Sequence, residues 1–453
     1  MLASSSDTIA AIATAVAPGQ GSVAILRLSG PRSEAIGRRL FHPAGQQPWE
    51  SHRVLYGHVI DPASGERVDE ALLLLMRAPR SFTREDVVEF HCHGGLVVVR
   101  RVLELVLAAG ARPADAGEFS LRAVLHGRLD LTRAEAIGQL VAARGRRAAQ
   151  LAMAGLDGGL HQRVSQLRSS LLDQLSELEA RLDFDDELPP LDVAALTDAL
   201  RQTQAALHQL VADAQQGQLL REGPRVAIIG RPNVGKSSLL NLLSQRDRAI
   251  VTPLPGTTRD LLESELLLDG VPLTLLDTAG IRPTSDPVEQ LGIARSQRAL
   301  ASADAVLLLF DLSDGWTPAD QALREQVPPD VPLLVVGNKR DRLPPGASLA
   351  PADVPLCALS GEGRQELADA LLERCGAAGH QGLEVALNTR QRDLAAAAAT
   401  ALGRSLQAAA EDLPTDFWTI DLREAIQRLG EITGEDVSEA VLERVFSRFC
   451  IGK

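Results

Sequence analysis

The run of eight residues from Gly230 to Ser237 has the composition and spacing of a phosphate-binding loop. It fits G-x-x-x-x-G-K-[ST], follows the apolar stretch from Val226 to Ile229, and precedes a helical run that starts at Ser238. Its glycines let backbone N–H groups approach phosphate oxygens, and a helix N-terminus adds partial positive charge. In such a motif the lysine reaches the β- and γ-phosphates and the hydroxyl binds Mg²⁺. The residues predicted to contact the nucleotide here are Asn233, Val234, Gly235, Lys236, Ser237 and Ser238.

Two further motifs stand at the ends of strand-like apolar runs. The first is Asp277-Thr278-Ala279-Gly280, in which the aspartate is placed to hold the Mg²⁺ shell and the glycine to sense the γ-phosphate. The second is Asn338-Lys339-Arg340-Asp341. A carboxylate there can accept two hydrogen bonds from the guanine edge, whereas adenine offers no matching pair of donors. This element therefore predicts selection of GTP over ATP.

Together these motifs resemble the translation-factor-type GTPases, which disfavours a generic P-loop ATPase. The resemblance places the last base-contacting loop at Cys357, Ala358 and Leu359. The usual first residue of that loop is serine, so Cys357 is a departure. Because backbone amides make most of that contact, we expect little loss of function.

Lysine is rare in this chain. Of the 46 basic residues only Lys236, Lys339 and Lys453 are lysine, and the others are arginine. A genome biased toward arginine codons explains the ratio, but a lysine that persists under such a bias is expected where the planar fork of arginine would not serve. Two of the three lie in the nucleotide motifs, and the third is the last residue.

The segment from Ala249 to Asp260 resembles the potassium loop and first switch of the tRNA-modification GTPase MnmE family. Ile281 follows Gly280, where a Ras-like GTPase carries a water-orienting glutamine, and an isoleucine side chain can neither donate nor accept a hydrogen bond. No arginine finger is identifiable either. The resemblance implies that a potassium ion stabilises charge between the β- and γ-phosphates instead. Its implied ligands are the Asn233 side chain, the Thr252 and Leu254 carbonyls, and Thr257.

The same resemblance assigns two more roles. Thr258 would complete the Mg²⁺ shell with Ser237, and Glu289 matches the family's catalytic glutamate, which aligns water through a second water. A solvated switch-region carboxylate is the alternative for Glu289. The implied nucleotide contacts of this segment are Thr252, Pro253, Leu254, Pro255, Gly256, Thr257 and Thr258.

The resemblance extends to both ends of the chain. The last eight residues, from Phe446 to Lys453, match the family's C-I-G-K tail, in which the cysteine (Cys450 here) is placed for a role in modification. Burial at a helix end is the alternative for that cysteine. The N-terminal region resembles the folate-binding module of tetrahydrofolate-dependent aminomethyl transferases. The implied ligand is a formyl- or methylene-tetrahydrofolate, and the matching positions are Arg27, Glu89, Arg128 and Lys453.

Membership of the family would imply a specific reaction. With an FAD-dependent partner, MnmG, the GTPase would install an aminomethyl or carboxymethylaminomethyl group on the wobble uridine of certain tRNAs. It would form a homodimer through its N-terminal domain, and its G domains would dock when GTP and potassium are bound. Two other readings stay open: a ribosome-assembly GTPase, which shares the G motifs, and a regulatory switch that keeps the folate fold without its chemistry.

Elements of several kinds must position these residues. Residues 1–120 mix strand-like runs with a helix from Leu96 to Ala109 and predict an α/β folate-binding-like domain that dimerises. Residues 121–216 are helical, with an apolar stripe from Leu160 to Leu182 and a helix from Val193 to Gln215. Residues 217–380 alternate strands and helices, which indicates an inserted Ras-like P-loop GTPase domain. Residues 381–453 return to helix and complete the α-helical bundle domain.

Composition limits the remaining possibilities. The net charge of −13 means that RNA would need a local basic patch, for which Arg144, Arg146 and Arg147 near Arg133 are the best candidates. A solvated helix face is the favoured alternative for that cluster. No signal peptide or membrane span is visible, and four scattered cysteines suit a reducing cytoplasm. A metal between the adjacent His91, Cys92 and His93 is disfavoured, because neighbouring strand residues face opposite sides.

Overall fold

The computed structural model describes residues 7–16, 21–184, 190–244, 263–277, 300, 302–344, 346, 349–377 and 387–453. The chain forms two compact units. One comprises Met1–Gly138, His161–Ser169 and Ile426–Lys453, and the other comprises Gln139–Leu160 and Ser170–Ala425. No helix in the described ranges is long and apolar enough to cross a membrane.

A mixed sheet of seven strands organises the first unit, in the order β3-β4-β5-β6-β2-β1-β7. Its neighbouring strands pair antiparallel except β1 and β7, which are parallel. Side chains alternate between the two faces, so that Leu26, Leu73 and Phe90 are fully buried. The strands are β1 (Ile9–Ile12), β2 (Val23–Ser29), β3 (Phe41–Pro43), β4 (Arg53–Ile60), β5 (Arg67–Met76), β6 (Val87–His93) and β7 (Arg112–Pro113).

Helices α1 (Ser33–Leu40) and α2 (Leu96–Ala108) cover the apolar face of this sheet. The helix predicted from Leu96 to Ala109 is confirmed to within one residue: α2 ends at Ala108, Ala109 is its C-cap, and Gly110 follows with φ +102. Cys92 lies in the same core, where burial raises the pKa of its thiol to about 12. The first unit also contains α3 (Glu118–Leu125) and α13 (Glu439–Phe446), while α4 (Leu131–Ala142) begins in it.

The second unit is built on a sheet of six strands in the order β13-β12-β11-β8-β10-β9. All neighbours are parallel except the edge strand β9, which forms an antiparallel hairpin with β10. Both faces are covered, as expected for a parallel sheet. Its strands are β8 (Arg225–Gly230), β9 (Glu263–Leu268), β10 (Val271–Asp277), β11 (Ala305–Asp311), β12 (Leu333–Asn338) and β13 (Val354–Pro355), with helices α8 (Lys236–Ser244), α9 (Pro318–Arg324) and α10 (Arg364–Arg374).

Helices from both sides of the nucleotide motifs pack together in this unit. The pair is α7 (Val193–Glu222) and α11 (Thr389–Ala410), and the side-chain amide of Gln204 donates to the Ala399 carbonyl at 3.0 Å. Gly403 of α11 lies beside Gln204, where an added Cβ would approach its amide nitrogen to 3.0 Å. The remaining helices are α5 (Arg146–Leu156), α6 (Gly159–Phe184) and α12 (Thr415–Thr433).

The predicted end of α7 at Gln215 is wrong. The helix continues through Gly217, which is buried, and ends at Glu222. Gly223 takes φ +79 and its N–H bonds to the Leu219 carbonyl, so it supplies the C-cap. A glycine inside a helix costs only about 1 kcal/mol, which packing of the long α7–α11 face offsets. The predicted stripe on α6 is confirmed by burial of Leu160, Val164, Leu171, Leu175 and Leu178.

Candidate nucleotide and folate sites

The phosphate-binding loop has the local structure that its sequence predicts. β8 ends at Gly230 and α8 begins at Lys236. Between them Asn233 has φ +65 and Gly235 has φ +102, both in the left-handed region that turns successive N–H groups toward one concave surface. The Lys236 ammonium donates to the carbonyls of Gly230 and Arg231 at 2.7 and 2.9 Å, so it lies across the loop opening. Phosphate oxygens fit this cradle of N–H groups and a cation.

Asn338 ties the phosphate loop to the base-reading loops. Its side chain is buried at the end of β12, where its amide donates to the Val234 carbonyl at 2.8 Å and its oxygen accepts from the Ala358 N–H at 3.0 Å. The approach is so close that a Cβ on Gly235 would lie 2.2 Å from the Asn338 amide nitrogen. Asn338 therefore links the end of β12 to the phosphate-binding loop and to the loop that contains Ala358.

Lys339 and Asp341 occupy the turn after β12. Lys339 has φ +63, and its ammonium pairs with the Asp311 carboxylate at 2.5 Å. Burial opposes ionisation of Asp311, but hydrogen bonds from Lys339 and Ser313 outweigh it and hold the pKa of Asp311 below its usual range. Asp341 is exposed, as a carboxylate that reads a base must be.

Cys357 is buried beside this turn, and its thiol donates to Asp341 Oδ1 at 3.1 Å. Leu359, predicted in the same loop, is 80% exposed. Arg340, also predicted to contact the nucleotide, pairs with Glu362 at 3.1 Å. The structure thus brings the Asn338–Asp341 turn and the loop from Cys357 together, as the motif spacing predicts.

Sequence reasoning missed Arg231 and Asp320. The Arg231 guanidinium, one residue into the phosphate loop, donates to Asp320 Oδ1 at 2.8 Å. Asp320 is fully buried and also completes the capping box of α9 with Thr317. A Thr-Pro pair before a helical run signalled this cap, but only the fold shows that its aspartate anchors the phosphate loop.

Several predicted residues lie outside the described part of the chain. These are Thr252, Pro253, Leu254, Pro255, Gly256, Thr257, Thr258, Thr278, Ala279, Gly280, Ile281 and Glu289. The backbone of Asp277 ends β10 and is paired with Ile228 of β8.

A second constellation lies on the face of the seven-stranded sheet opposite α1 and α2. Arg27 on β2 and Glu89 on β6 are cross-strand partners, and Arg27 Nε donates to Glu89 Oε1 at 2.7 Å. The other carboxylate oxygen of Glu89 lies 3.2 Å from His91 Nε2. Glu89 is only 7% exposed, and the contacts with Arg27 and His91 provide polar partners for both of its carboxylate oxygens. His91 is a residue of this cluster that sequence reasoning did not assign to the site.

The C-terminal tail reaches the same cluster. Arg27 Nη1 donates to the Gly452 carbonyl at 3.2 Å, and Ile451 forms an antiparallel bridge with Ala116. Gly452 has φ +96, and an added Cβ would lie 2.9 Å from the Ile12 carbonyl oxygen, so only glycine fits this close approach. Cys450 is exposed, contrary to the alternative of burial. Lys453 directly follows Gly452, the residue whose carbonyl contacts Arg27.

Arg128 lies near a neighbouring aromatic pair. Its guanidinium is 5.9 Å from the centre of the Phe82 ring, and that of Arg27 is 5.7 Å from the centre of the Phe119 ring. Phe82 packs against the small apolar cluster that contains Phe119. Arg27 and Arg128 therefore flank one cluster, although the structure gives no direct contact between them.

Comparison with known proteins identifies the family. The family model described as the MnmE helical domain matches residues 131–450, and the model described as the GTP-binding protein TrmE N-terminus matches residues 8–128. A tRNA modification GTPase MnmE of Synechococcus sp. (strain RCC307) is 70% identical over 453 residues, which is 100% of both chains. The chain belongs to the MnmE family. The MnmE of Synechococcus sp. (strain CC9605) is 66% identical over 99% of this chain and 100% of its own.

As an MnmE-family member the chain is a GTPase of tRNA modification, and such enzymes use GTP with Mg²⁺. Its fold combines a TrmE-type N-terminal domain, a helical domain and a Ras-like P-loop GTPase domain. Among solved structures, an Era variant from Aquifex aeolicus is 28% identical, covering 39% of this chain and 66% of that one, with a TM-score of 0.29.

The basic cluster considered for RNA is partly neutralised by a carboxylate within this chain. Arg144 Nη1 pairs with Glu265 of β9 at 2.6 Å, and both side chains are largely exposed. Arg146 begins α5 and is exposed, whereas Arg147 is half-buried. An arginine already paired with a carboxylate contributes less to phosphate binding. This pairing favours the interpretation of the cluster as a solvated helix face over an RNA-binding patch.

Proposed function

We propose that this MnmE-family GTPase, with the FAD-dependent partner MnmG, adds an aminomethyl or carboxymethylaminomethyl group to the wobble uridine of certain tRNAs. A formyl- or methylene-tetrahydrofolate supplies the one-carbon unit. The observation that carries this proposal is that Arg27 contacts both Glu89, 62 residues away in the chain, and Gly452 of the C-terminal tail, 425 residues away. A fold that only switched with nucleotide would have no need to hold its tail against the arginine that pairs with a buried carboxylate.

In the proposed folate site each group has a chemical role. The Glu89 carboxylate, held by Arg27 and His91, suits the N–H edge of a pterin, which presents donors. Arg128 and Lys453 suit the carboxylates of the glutamate tail. At Arg128 the planar guanidinium offers several fixed N–H donors to such a carboxylate. The bound folate would supply the one-carbon chemistry.

In the proposed nucleotide site the phosphate loop holds the polyphosphate and Lys236 contacts the β- and γ-phosphates. Ser237, whose side chain is exposed at the start of α8, would hold Mg²⁺ together with Thr258. Asp341 would read guanine. The donor set of a hydroxyl and phosphate oxygens suits Mg²⁺, which prefers oxygen ligands.

Potassium activation is part of the proposal. Asn233 is exposed on the phosphate loop with φ +65, which suits a side chain that must reach a cation beside the phosphates. With Thr252, Leu254 and Thr257 it would supply the oxygen ligands, and Glu289 would align the attacking water. The cation would provide the transition-state charge stabilisation that an arginine finger supplies in other GTPases, since no arginine finger is identifiable in this sequence.

Homodimerisation through the N-terminal domain accounts for an uncovered apolar surface. Val54, Tyr56 and Leu72 are 57%, 46% and 42% exposed on the sheet face that carries Glu89. The strand register aligns Val54 with Leu74, and Leu74 with Glu89, in one row across the sheet. Exposed apolar residues beside a functional cluster are typical of an interface. A second copy on this face would bury them and would border the folate site.

The proposed domains are those of the sequence analysis: 1–120 for folate binding and dimerisation, 121–216 and 381–453 for the two halves of the helical domain, and 217–380 for the G domain. We place the enzyme in the cytoplasm, where tRNA, GTP and potassium are available.

Equilibrium dialysis with 5-formyltetrahydrofolate tests the folate site. Wild type should retain the folate, and Glu89→Gln and Lys453→Ala should both reduce retention while GTP hydrolysis stays nearly intact. Arg404→Met, on an exposed helix pair, is the control and should bind normally. Normal retention by Lys453→Ala would make that lysine a solvated terminus, and no binding by wild type would refute the folate proposal.

Mass spectrometry of wobble uridines tests the reaction itself. tRNA from a strain lacking this gene should lose the aminomethyl-type modifications, and the wild-type gene should restore them. Intact modification together with a ribosome-assembly defect would favour the alternative GTPase function.

A further inference from the structure

The arginine of the phosphate loop is paired with a buried carboxylate outside that loop. Arg231 Nε donates to Asp320 Oδ1 at 2.8 Å, and Arg231 Nη2 lies 3.5 Å from Asp314 Oδ2. The Asp320 side chain is fully buried, whereas that of Asp314 is 57% exposed. Water weakens an exposed ion pair far more than a buried one, so the contact with Asp320 is the stronger of the two.

Asp320 is itself held in place by the helix that it begins. Its other carboxylate oxygen, Oδ2, accepts from the Thr317 N–H at 3.0 Å and from the Thr317 hydroxyl at 2.7 Å. These two bonds belong to the capping box of α9. One oxygen of Asp320 thus serves the helix and the other serves the phosphate loop. The carboxylate cannot turn without breaking the cap, which makes it a fixed partner for Arg231.

Other contacts hold the two ends of the phosphate loop. At its start, Gly230 lies so close to β11 that an added Cβ would be 2.3 Å from the Leu309 carbonyl oxygen. Toward its end, the Val234 carbonyl accepts from the Asn338 amide at 2.8 Å. Residues 231–233 span the distance between these two fixed points. The conformation of this short segment depends on the contacts that its own residues make.

Arg231 holds this segment in two ways. Its guanidinium pairs with Asp320, and its carbonyl accepts from the Lys236 ammonium at 2.9 Å. The phosphates of a bound nucleotide compete for that ammonium, because the lysine of this motif reaches the β- and γ-phosphates. The ion pair with Asp320 uses no group that is assigned to phosphate, so nucleotide binding leaves it in place.

We propose that Arg231 is a positioning residue for the potassium site, whose ion pair with Asp320 sets the orientation of Asn233. The ring of Pro232, between them in the chain, fixes its own φ, so Asn233 inherits its orientation from the backbone of Arg231 with little freedom. Asn233 also has φ +65, a conformation that a residue with a Cβ keeps only when its surroundings maintain it. The inference rests on the proposed role of Asn233 as a potassium ligand.

Titration of GTP hydrolysis with potassium chloride at constant ionic strength tests the proposal. Asp320→Asn keeps an oxygen for the two bonds from Thr317 but turns an amide donor toward Arg231, so it breaks the ion pair and retains the helix cap. It should raise the half-saturating potassium concentration about three- to tenfold, as expected for the loss of a modest hydrogen bond. Arg231→Gln should have the same effect, and Arg231→Lys, which keeps the charge, should recover part of the wild-type value.

Thr317→Ala is the matched control. It removes a hydroxyl from the same carboxylate and weakens the cap of α9, but it leaves Asp320 Oδ1 available to Arg231. Its half-saturating potassium concentration should therefore equal that of wild type. The double variant Arg231→Gln/Asp320→Asn should be no worse than either single variant, because both substitutions remove one interaction.

Amide hydrogen exchange of the nucleotide-free proteins gives a measurement that does not depend on activity. The peptide that covers residues 230–236 should exchange faster in Asp320→Asn and in Arg231→Gln than in wild type, because the segment loses its side-chain contact. The same peptide of Thr317→Ala should exchange like wild type. Wild-type exchange in both ion-pair variants would contradict the proposal.

The outcomes separate the positioning role from the potassium site itself. If wild type responds to potassium and Asn233→Ala does not, while both ion-pair variants keep the wild-type half-saturation, the positioning role is refuted and the potassium site stands. If wild type hydrolyses GTP equally in sodium and in potassium, the potassium site is refuted and the positioning role falls with it. Equal rises in Thr317→Ala and Asp320→Asn would also overturn the proposal, because they would report loosening of α9.

Discussion

Replacement of Arg122 by methionine should destabilise the N-terminal unit strongly. The Arg122 side chain is 3% exposed, and its guanidinium contacts three carboxylates, those of Asp7 at 2.6 Å, Glu85 at 3.0 Å and Glu118 at 3.0 Å. Methionine fills most of the same volume without charge. The substitution therefore tests the electrostatic contribution of this buried network and not the loss of packing.

The size of the destabilisation depends on which hydrogen-bond and ion-pair partners each carboxylate retains when Arg122 is replaced. Glu118 retains Arg112, at 2.6 and 2.8 Å, and the Asp115 N–H at 2.9 Å. Glu85 is 10% exposed and retains only a hydroxyl, from Ser29 at 2.6 Å, so it becomes a buried charge without a cation. Removal of one partner from a buried ion pair costs about 3–5 kcal/mol. Because Glu118 keeps its pairing with Arg112, we expect the substitution to lower the free energy of unfolding by about 3 kcal/mol.

The free energy of unfolding should also depend on pH in a direction that the contacts of Glu118 determine. Burial raises the pKa of Glu118, but hydrogen bonds from Arg112, the Asp115 N–H and Arg122 outweigh it and hold that pKa below its usual range in wild type. The ionised Glu118 therefore stabilises wild type at pH values above the pKa of this residue in the unfolded chain, and this stabilisation is lost as the pH falls. Because Arg122 is one of the groups that lower the pKa of Glu118, the difference in the free energy of unfolding between wild type and variant should narrow as the pH falls below about 4.5.

Urea unfolding followed by circular dichroism measures the difference, with Arg404→Met as the control. Arg404 also contacts two carboxylates, on Asp421 and Glu424, but it is 46% exposed, and its loss should cost about 1 kcal/mol or less. Glu85→Gln in the Arg122→Met background should recover part of the loss. Equal costs for Arg122→Met and Arg404→Met, or a cost that does not change with pH, would refute the reasoning.

Three further predictions concern the nucleotide site and the acid limit of stability. Asp341→Asn should weaken GTP binding and improve xanthosine triphosphate binding, because an acceptor becomes a donor; unchanged GTP affinity in calorimetry would contradict the base assignment. GTP hydrolysis should rise steeply with potassium and little with sodium at constant ionic strength, a cation recovering part of the roughly 10³ to 10⁵ that an arginine finger supplies. Asn233→Ala should abolish that difference while it keeps most nucleotide affinity, whereas equal rates in the two salts for wild type would mean that a partner supplies the charge. The pKa of Glu34 is lowered from 4.5 to about 2, chiefly by the hydrogen bond from Arg77, so its contribution is present above pH 4.5 and is lost as the pH falls toward 2. Glu34→Gln should cost about 1–2 kcal/mol at pH 7 after allowance for solvent screening and nothing near pH 2, and a difference that persists in acid would exclude this linkage.

Short stretches of contiguous residues determine much of the local structure of this protein. The phosphate loop, the Asn338–Asp341 turn and the end of α2 were predictable because each depends on a few neighbouring residues. The loop lies between a strand and a helix, the turn directly follows a strand, and Gly110 at positive φ follows α2. The apolar stripe on α6 was predictable for the same reason, since a period of 3.6 is local. The end of α7 was not, because packing against α11 carries the helix past Gly217.

Only the tertiary structure decided which distant groups meet. Arg27 with Gly452, Arg122 with Asp7, Arg231 with Asp320 and Cys357 with Asp341 are separated by 425, 115, 89 and 16 residues. No periodicity or motif spacing encodes such pairs, since they depend on strand order and on how loops approach at a sheet edge. The family resemblance predicted Arg27 and Glu89 as site residues. The hydrogen bond between them follows from the register of β2 with β6, and the position of the tail depends on Gly452 at φ +96. A buried charge must find a partner somewhere in the folded chain, and the fold alone determines which one is within reach.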